Sequence, residues 1–492
     1  MNRQRGRGRV MLAGLAAVCA VAVLAGQASA AGEPNPYTFD SEAKSVRGTA
    51  VNSDGPPLEA GSTYRDTIKP DEKRYYRIDL DAKSNAYVSA VAVPKLGTKV
   101  AYPDKLEVSI EDRSGTKCSS HDAMFGSATY PRPVAAYAGR RIDPKNTNCQ
   151  EAGAYYVLLQ RTSDPTSTPE PWDVEIRFAS EPGLKTGAGT QAPENWPSAS
   201  PAAPAGGPQK RHGGTSFLDA TSLKEGEWQD EIAPGRTLFY RVPVNWGQQL
   251  FASADLGTSP TGDASGSVSN AFVLALHNPA RGFVDDESSV FYDGKQKSIA
   301  LEPLPPVAYE NRYDSNDSTS AMRFAGWYYL SVTLSPEIAE EYGKKPLHLT
   351  LRVNVEGEAK SGPQYAGPAG DFQVTGEDRE AADSGRSAPE AAKSDTMKLV
   401  AAAGIGAGAV LILGLGAWVL LARRRTPAFV EPAPFPAQAQ GYGQGYAQDM
   451  TPAYGPGPAQ PGYGYPPVQG PHQDQARSQG YGPGPYGPPP AQ

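Results

Sequence analysis

Before residue 357 the apolar residues of the chain fall mostly on alternate positions. Leu106, Val108 and Ile110 make one such row, and Phe272, Leu274 and Leu276 make another. Successive side chains of a strand point to opposite faces, so a row of this kind places one face in a core and the other in water. One-sided burial suits antiparallel sheets better than parallel ones, which are covered on both faces. Turn residues such as Lys69-Pro70-Asp71 and Pro234-Gly235 punctuate the rows. Helical spacing is nearly absent here. Its exception runs from Ser335 to Gly343, where a capping serine, Pro336 and a terminal glycine bracket one or two turns.

The rows occur twice in the same order. Asp66 to Leu80 aligns without gaps onto Asp230 to Val244 at a constant offset of 164. Leu106, Val108 and Ile110 answer to Phe272, Leu274 and Leu276, and Gly153-Ala-Tyr155-Tyr156-Val157 to Gly326-Trp-Tyr328-Tyr329-Leu330. Pro133 to Tyr137 has an echo in Pro306 to Tyr309, and Trp172 to Phe178 in Leu347 to Val353. Five blocks in the same order define an internal repeat. The fold expected is mainly β, with two tandem jelly-roll-like antiparallel β-sandwiches.

Two stretches break the alternation. Leu399 to Ala422 has 24 residues without a charged side chain and is followed by Arg423, Arg424 and Arg425. As a helix it reaches about 36 Å, enough to cross a bilayer core of roughly 30 Å. The triple arginine then holds the C-terminus in the cytoplasm. Gly404 and Gly408 form a GxxxG pattern that would let two such helices approach closely, as in a weak homodimer. At the other end, Arg3, Arg5, Arg7 and Arg9 precede an apolar run that closes on Ala28-Ser29-Ala30, the layout of a cleaved signal peptide. The expected topology is a single-pass type I protein of the plasma membrane, with its N-terminal part outside.

Composition sets the remaining boundaries. The segment 181–213 is rich in Pro, Gly, Ala and Ser, and 357–398 replaces apolar residues with Gly, Ser, Asp and Glu. The resulting plan is a signal peptide at 1–30, sandwiches at 45–180 and 214–356, a linker at 181–213, a disordered stalk at 357–398, a transmembrane helix at 399–422 and a disordered tail at 423–492. The tail holds 16 Pro and 12 Gly in 70 residues, with tyrosines spaced between glycines, and offers PPII segments to a cytoplasmic partner. A net charge of −7 argues against nucleic acid as a partner.

Chemistry is sparse. With Cys19 lost in the signal peptide, Cys118 and Cys149 remain as an even pair and are expected to form a disulfide. The histidines at 121, 212, 277, 348 and 472 are scattered, and no HExxH, GxSxG or phosphate-cradling loop is present, so catalysis is not expected. Gly262-Asp-Ala-Ser265-Gly266 reads as a loop. Asp314, Asn316 and Ser318 repeat oxygen ligands at every second position, as a calcium loop does, but Thr319 stands where such a loop needs glycine and no glutamate follows at the twelfth place. No other cofactor is indicated. Arg77 and Arg241 read as sheet-surface or domain-edge pairs, and the paired aromatics Tyr75-Tyr76, Tyr155-Tyr156 and their repeat partners as one ring in the core and one outside.

The turn Ile68-x-Pro70 followed by Tyr75-Tyr76-Arg77, and the later Gly153-x-Tyr155-Tyr156, with Ile232, Pro234, Phe239, Tyr240, Arg241, Gly326, Tyr328 and Tyr329 in the second copy, resemble the bacterial pre-peptidase C-terminal domain, a jelly-roll-like β-sandwich. The whole layout is similar to signal-bearing, single-span envelope proteins of high-GC Gram-positive bacteria. Those resemblances imply a secreted binding, adhesion or accessory module whose ligand, a cell-wall glycan or an extracellular protein, the residues do not name. An envelope sensor acting through the tail, and a hydrolase, are the competing classes.

Overall fold

A computed structural model describes residues 37–423 apart from 144, 188, 261–265 and 289; within the last helix the side chains of 395–409 and 422–423 are not described. The chain divides into units 1–414 and 415–492, and everything described below up to residue 394 belongs to the first.

Each repeat supplies eight strands. In the first they are β1 (Thr63–Ile68), β2 (Lys73–Leu80), β3 (Asn85–Val93), β4 (Lys105–Glu111), β5 (Lys117–Met124), β6 (Val134–Arg140), β7 (Gly153–Thr162) and β8 (Trp172–Glu181). In the second they are β9 (Gly226–Ile232), β10 (Thr237–Val244), β11 (Gln249–Leu256), β12 (Phe272–His277), β13 (Phe283–Glu287), β14 (Lys297–Ala300), β15 (Gly326–Leu334) and β16 (Leu347–Glu356). Sheet order in the first copy is β1-β8-β3-β6 against β2-β7-β4-β5, and in the second β9-β16-β11-β14 against β10-β15-β12-β13. Both copies therefore run 1-8-3-6 and 2-7-4-5, the strand order of a two-sheet jelly roll made from paired Greek keys. Short parallel strands extend three of the four sheets at Lys44–Ser45, Pro208–Lys210 and Thr221–Ser222.

The inward rows build separate cores. Leu106, Val108 and Ile110 meet Val157, Leu159 and Ile176 in the first sandwich, and Phe272, Leu274 and Leu276 meet Leu330, Val332 and Leu351 in the second. Each buried aliphatic side chain contributes about 1.5–3 kcal/mol. Four of the five repeated blocks occupy equivalent strands. The fifth does not: Val134 to Tyr137 lies on β6, whereas Val307 to Tyr309 follows β14 as a loop and a single-turn helix, Tyr309–Tyr313. The short helix expected near 335–343 is present as Ile338–Tyr342, here α2 after α1 (Asp317–Ala321), and Gly343 at φ 82° ends it.

The disulfide joins Cys118 on β5 to Cys149 in the loop before β7. Arg140, fully buried, fixes that loop by donating to the carbonyls of Cys149, Ser84, Asp81 and Glu151 at 2.7–2.9 Å.

The segment 357–398 is not a free stalk. Tyr365 bridges to Leu184, Phe372 is fully buried, and α3 (Gly376–Ser384) packs Ala381 and Ala382 inward behind a capping box of Thr375 and Asp378. The linker 181–213 is likewise laid down on the second sandwich, where Gln249 and Asn354 donate to the carbonyls of Pro197 and Ala202. Few apolar residues suffice here because the surface that receives them is already folded, so ordering costs only the segment's own entropy.

A last helix, α4 (Ala388–Arg423), contains 399–422. Its described apolar side chains, Val410 to Leu421, are exposed, and among the described residues no helix is long and apolar enough to cross a membrane. Side chains around Gly404 and Gly408, the signal segment and the tail beyond Arg423 lie outside the described residues.

Candidate functional site: the seam between the sandwiches

The outward positions of β3, β6 and β8 face the second sandwich instead of water. Tyr87, Tyr137 and Ala179 meet Ala280 and Phe324, while Val91 and Ala135 meet Phe217 and Phe239. Tyr87 and Phe324 meet edge to face at 5.0 Å, and Phe372 packs against both, its ring 5.9 Å from Tyr87 and 4.6 Å from Phe324. The approach is close: a Cβ on Gly282 would lie 2.5 Å from the Tyr137 ring, so only glycine fits there. This explains why the expected division of the aromatic pairs holds for Tyr76 and Tyr155, which are inside, but not for Phe239, whose outward ring is buried in the seam.

Two ion pairs cross the seam without solvent. Arg281 meets Glu175 at 2.6 Å, with Tyr37 adding a bond of 3.1 Å. Arg312 grips Glu181 with both terminal nitrogens at 2.8 and 3.0 Å, and Asn85, Tyr87 and Tyr365 donate to the same carboxylate at 2.7, 3.0 and 2.7 Å. Burial acts to raise the pKa of Glu181, but the Arg312 charge and these hydrogen bonds outweigh it and hold the carboxyl below its ordinary value. Arg323 donates to the Tyr137 hydroxyl at 2.6 Å, and Arg141 to the Arg312 carbonyl.

Cavities open along the same seam. One of about 250 Å³ lies between Arg132, Asp122, Asp286 and His277, with Met124 and Phe283 at its side. His277 is buried, its Nδ1 has no hydrogen-bond partner, and burial pushes its pKa down to about 4. Another, of about 360 Å³, forms where both sandwiches and the 370–378 segment meet. It is lined by Arg241 and Arg281 beside Phe217, Trp327 and Tyr329, and by Arg177, Asp371, Gln373, Thr375, Glu377 and Asp378, whose carboxylate accepts from the Trp327 indole at 2.8 Å. Burial lowers the pKa of Arg241, whose guanidinium stacks on Trp327 at 4.0 Å.

The sequence candidates are placed elsewhere. Asp314 and Asn316 spend their oxygens on the backbone: Asp314 accepts from the Asn316 N–H at 2.8 Å, and Asn316 caps α1 by accepting from Thr319 at 2.9 Å. Among the described residues no three His, Cys, Asp or Glu side chains are grouped to hold a metal. The 261–265 loop lies outside the described residues. Arg77 forms the surface pair expected of it, with Asp79 at 2.7 Å, whereas Arg241 does not. The signal for that difference was in the repeat itself, where Asp79 and Ala154 of the first copy become Pro243 and Trp327 of the second.

No family model matches the sequence, and no curated protein does. A solved protein of Parabacteroides distasonis is 11% identical over 64% of this chain and 88% of its own, with a TM-score of 0.16. The CUB1-EGF-CUB2 region of human MASP-1/3 is 7% identical over 59% of this chain and 99% of its own, with a TM-score of 0.14. The strand order of its four sheets defines the protein as one of two tandem jelly-roll-like β-sandwiches.

Proposed function

We propose that the chain is a membrane-anchored extracellular binding protein of the bacterial cell envelope, exported by its N-terminal signal, held by the 399–422 helix and displaying its two sandwiches as one rigid body. The observation that carries this reading is the seam: five donors converge on the buried Glu181 carboxylate from three separate segments, so the cavities between the sandwiches have fixed walls. Preformed concave sites at domain junctions are where ligands are commonly held. The disulfide suits an oxidising compartment. The reading of the single-span anchor rests on the apolar stretch and the three arginines that follow it.

The experiment is fractionation of expressing cells with protease shaving, followed by capture of envelope material on the purified full chain. Recovery in the membrane fraction, digestion of the sandwiches from outside and specific capture are expected. A cytoplasmic location, or a folded chain that retains no glycan, peptide or protein of the envelope, overturns the reading. An envelope sensor is the second reading, favoured by one observation: the segment that lines the 360 Å³ cavity leads directly into α4.

A further inference from the structure

The internal repeat shows what the second sandwich has changed on the face it turns to the seam. Between its inward residues β4 carries Glu107, Ser109 and Glu111, and at the offset of 166 β12 carries Val273, Ala275 and His277. Glu107 accepts from Lys117 and from the Ser120 hydroxyl at 3.1 and 2.6 Å. The second copy has therefore exchanged two carboxylates for an isopropyl group and an imidazole. The apolar side chains suit a face that another domain covers. The imidazole does not, because burial withdraws water from ring nitrogens that need partners.

His277 is 7% exposed, and its Nδ1 has no hydrogen-bond partner. Phe217 and Phe283 meet the ring edge to face at 5.1 and 6.1 Å, so its close neighbours are other rings. The imidazole lines the 250 Å³ cavity, whose first-sandwich wall includes Asp122 and Met124 at the end of β5. Buried polar groups are nearly always bonded in folded proteins, so one that is not, at the wall of a cavity, calls for a partner from outside the chain.

The charges around the cavity select that partner. Among the described residues the charged groups that line it are Asp122, Arg132 and Asp286. Asp122 pairs with Lys105 at 3.1 Å. Arg132 and Asp286 act on each other's charge; Arg132 also donates to the carbonyls of Phe125 and Ala128, and Asp286 accepts from the Ser288 hydroxyl. Glu287, the next residue of β13, acts on Asp286 as well but is itself engaged and stands outside the lining. Two cations thus answer two carboxylates, and a net charge of either sign on a ligand would have to be desolvated without a free counter-charge to meet it. The imidazole points the same way: neutral, it offers one donor and one acceptor, and a hydroxyl group answers either, whereas an ammonium only donates and a carboxylate only accepts.

Phe283 and Met124 flank the cavity at 45% and 44% exposure. The Phe283 ring supplies a surface for the C–H face of a sugar, and Asp122 and Asp286, one from each sandwich, can accept from further hydroxyls. A volume of about 250 Å³ lies just under the roughly 300 Å³ at which sites for drug-sized ligands begin, which suits one ring and not a chain of them.

We propose that this cavity binds an uncharged sugar ring, with one hydroxyl on the His277 imidazole, others on Asp122 and Asp286, and its C–H face on Phe283. The proposal rests on the reading of the chain as a binding protein and names the ligand class of a site in its seam.

The test is calorimetric titration of the purified full chain with glucose, galactose and mannose, with their uronates, their 2-amino forms and trialanine as separate arms. At least one of the three neutral sugars is expected to bind, and more tightly than its own charged forms. His277→Phe should weaken that sugar about three- to tenfold, the worth of one uncharged hydrogen bond, and Phe283→Ala should weaken it too. No binding by any neutral sugar, equal or tighter binding of a charged form or of trialanine, or an unchanged affinity in either variant overturns the proposal. Should His277→Phe fail to fold, Phe283→Ala, which alters a half-exposed ring, decides together with the neutral-to-charged ratio of the unaltered chain. If no sugar binds while envelope material is still captured, this ligand falls and the binding reading stands; if nothing is captured, both fall.

Discussion

Breaking the Glu181–Arg312 pair from its two sides should give opposite pH behaviour. Both side chains are at most 2% exposed, and the carboxylate accepts two bonds from Arg312 besides those from Asn85, Tyr87 and Tyr365. Removing one partner of such a pair leaves a buried charge and costs about 3–5 kcal/mol. In Glu181→Gln the orphan is a guanidinium, which does not deprotonate in proteins, so the loss should persist from pH 8 to 5. In Arg312→Met the orphan is a carboxylate whose pKa is now raised by burial without an opposing charge. That variant should be about 3–5 kcal/mol less stable at pH 8, and should recover as pH falls through the raised pKa, because the folded state then takes up a proton that the unfolded carboxyl, near 4.3, does not yet hold. The unaltered protein has the other sign, since its Glu181 pKa is depressed: the contribution is present above the unfolded value and is lost as pH falls through the folded one. Denaturant unfolding of the full chain at several pH values measures both slopes, and calorimetry should show the two sandwiches unfolding separately once the pair is gone. Losses below about 1 kcal/mol in both variants, or an Arg312→Met protein with no recovery in acid, would refute this account of the seam.

Three further outcomes follow from single sites. Cys118→Ser with Cys149→Ser opens a loop of 31 residues and should cost about 3–4 kcal/mol on the chain-entropy view, read as a shift in denaturation midpoint that reducing agent reproduces in the unaltered protein. His277, with its folded pKa near 4 against 6.5, should withdraw about 3 kcal/mol of stability as pH falls from 6.5 to 4, and His277→Leu should flatten that part of the pH–stability curve; an unchanged curve would show that the ring is not buried neutral. Phe372→Ala removes a ring packed against both Tyr87 and Phe324, a loss of about 3–5 kcal/mol at a site that stays docked, and the segment should instead release, so limited proteolysis between residues 362 and 387 is expected to accelerate while the sandwich cores remain protected.

The sandwiches were legible because period-two rows and turn residues are local signals, and because the second copy repeats them: Leu106, Val108 and Ile110 predict their own burial. The disulfide was legible once the signal-peptide reading removed Cys19 and left Cys118 and Cys149 as an even pair. The seam was not. Glu175 and Glu181 occupy β8, and a sequence cannot say that such polar groups are covered by Arg281 and Arg312, more than a hundred residues away. An outward-facing polar residue and a solvated one look identical until the partner domain is placed. The echo of Pro133–Tyr137 in Pro306–Tyr309 misled for a related reason, since four or five matching residues carry no register by themselves.

Composition misread 357–398 because it measures what a segment can bury by itself. Tyr365, Phe372, Ala381 and Ala382 are too few for a core, yet each enters a surface that the sandwiches have already formed. Docking also gives the segment chemistry: Asp371 and Glu377 become part of a cavity whose floor belongs to the second sandwich and whose rim includes Arg177 of the first. A ligand that needs all three walls binds the docked arrangement in preference to the released one, and by linkage stabilises docking by its differential affinity. The display and sensor readings therefore differ in one quantity, the population of the released segment before ligand arrives. A seam that is always closed can only present a site, whereas one that opens measurably can report whether the site is filled.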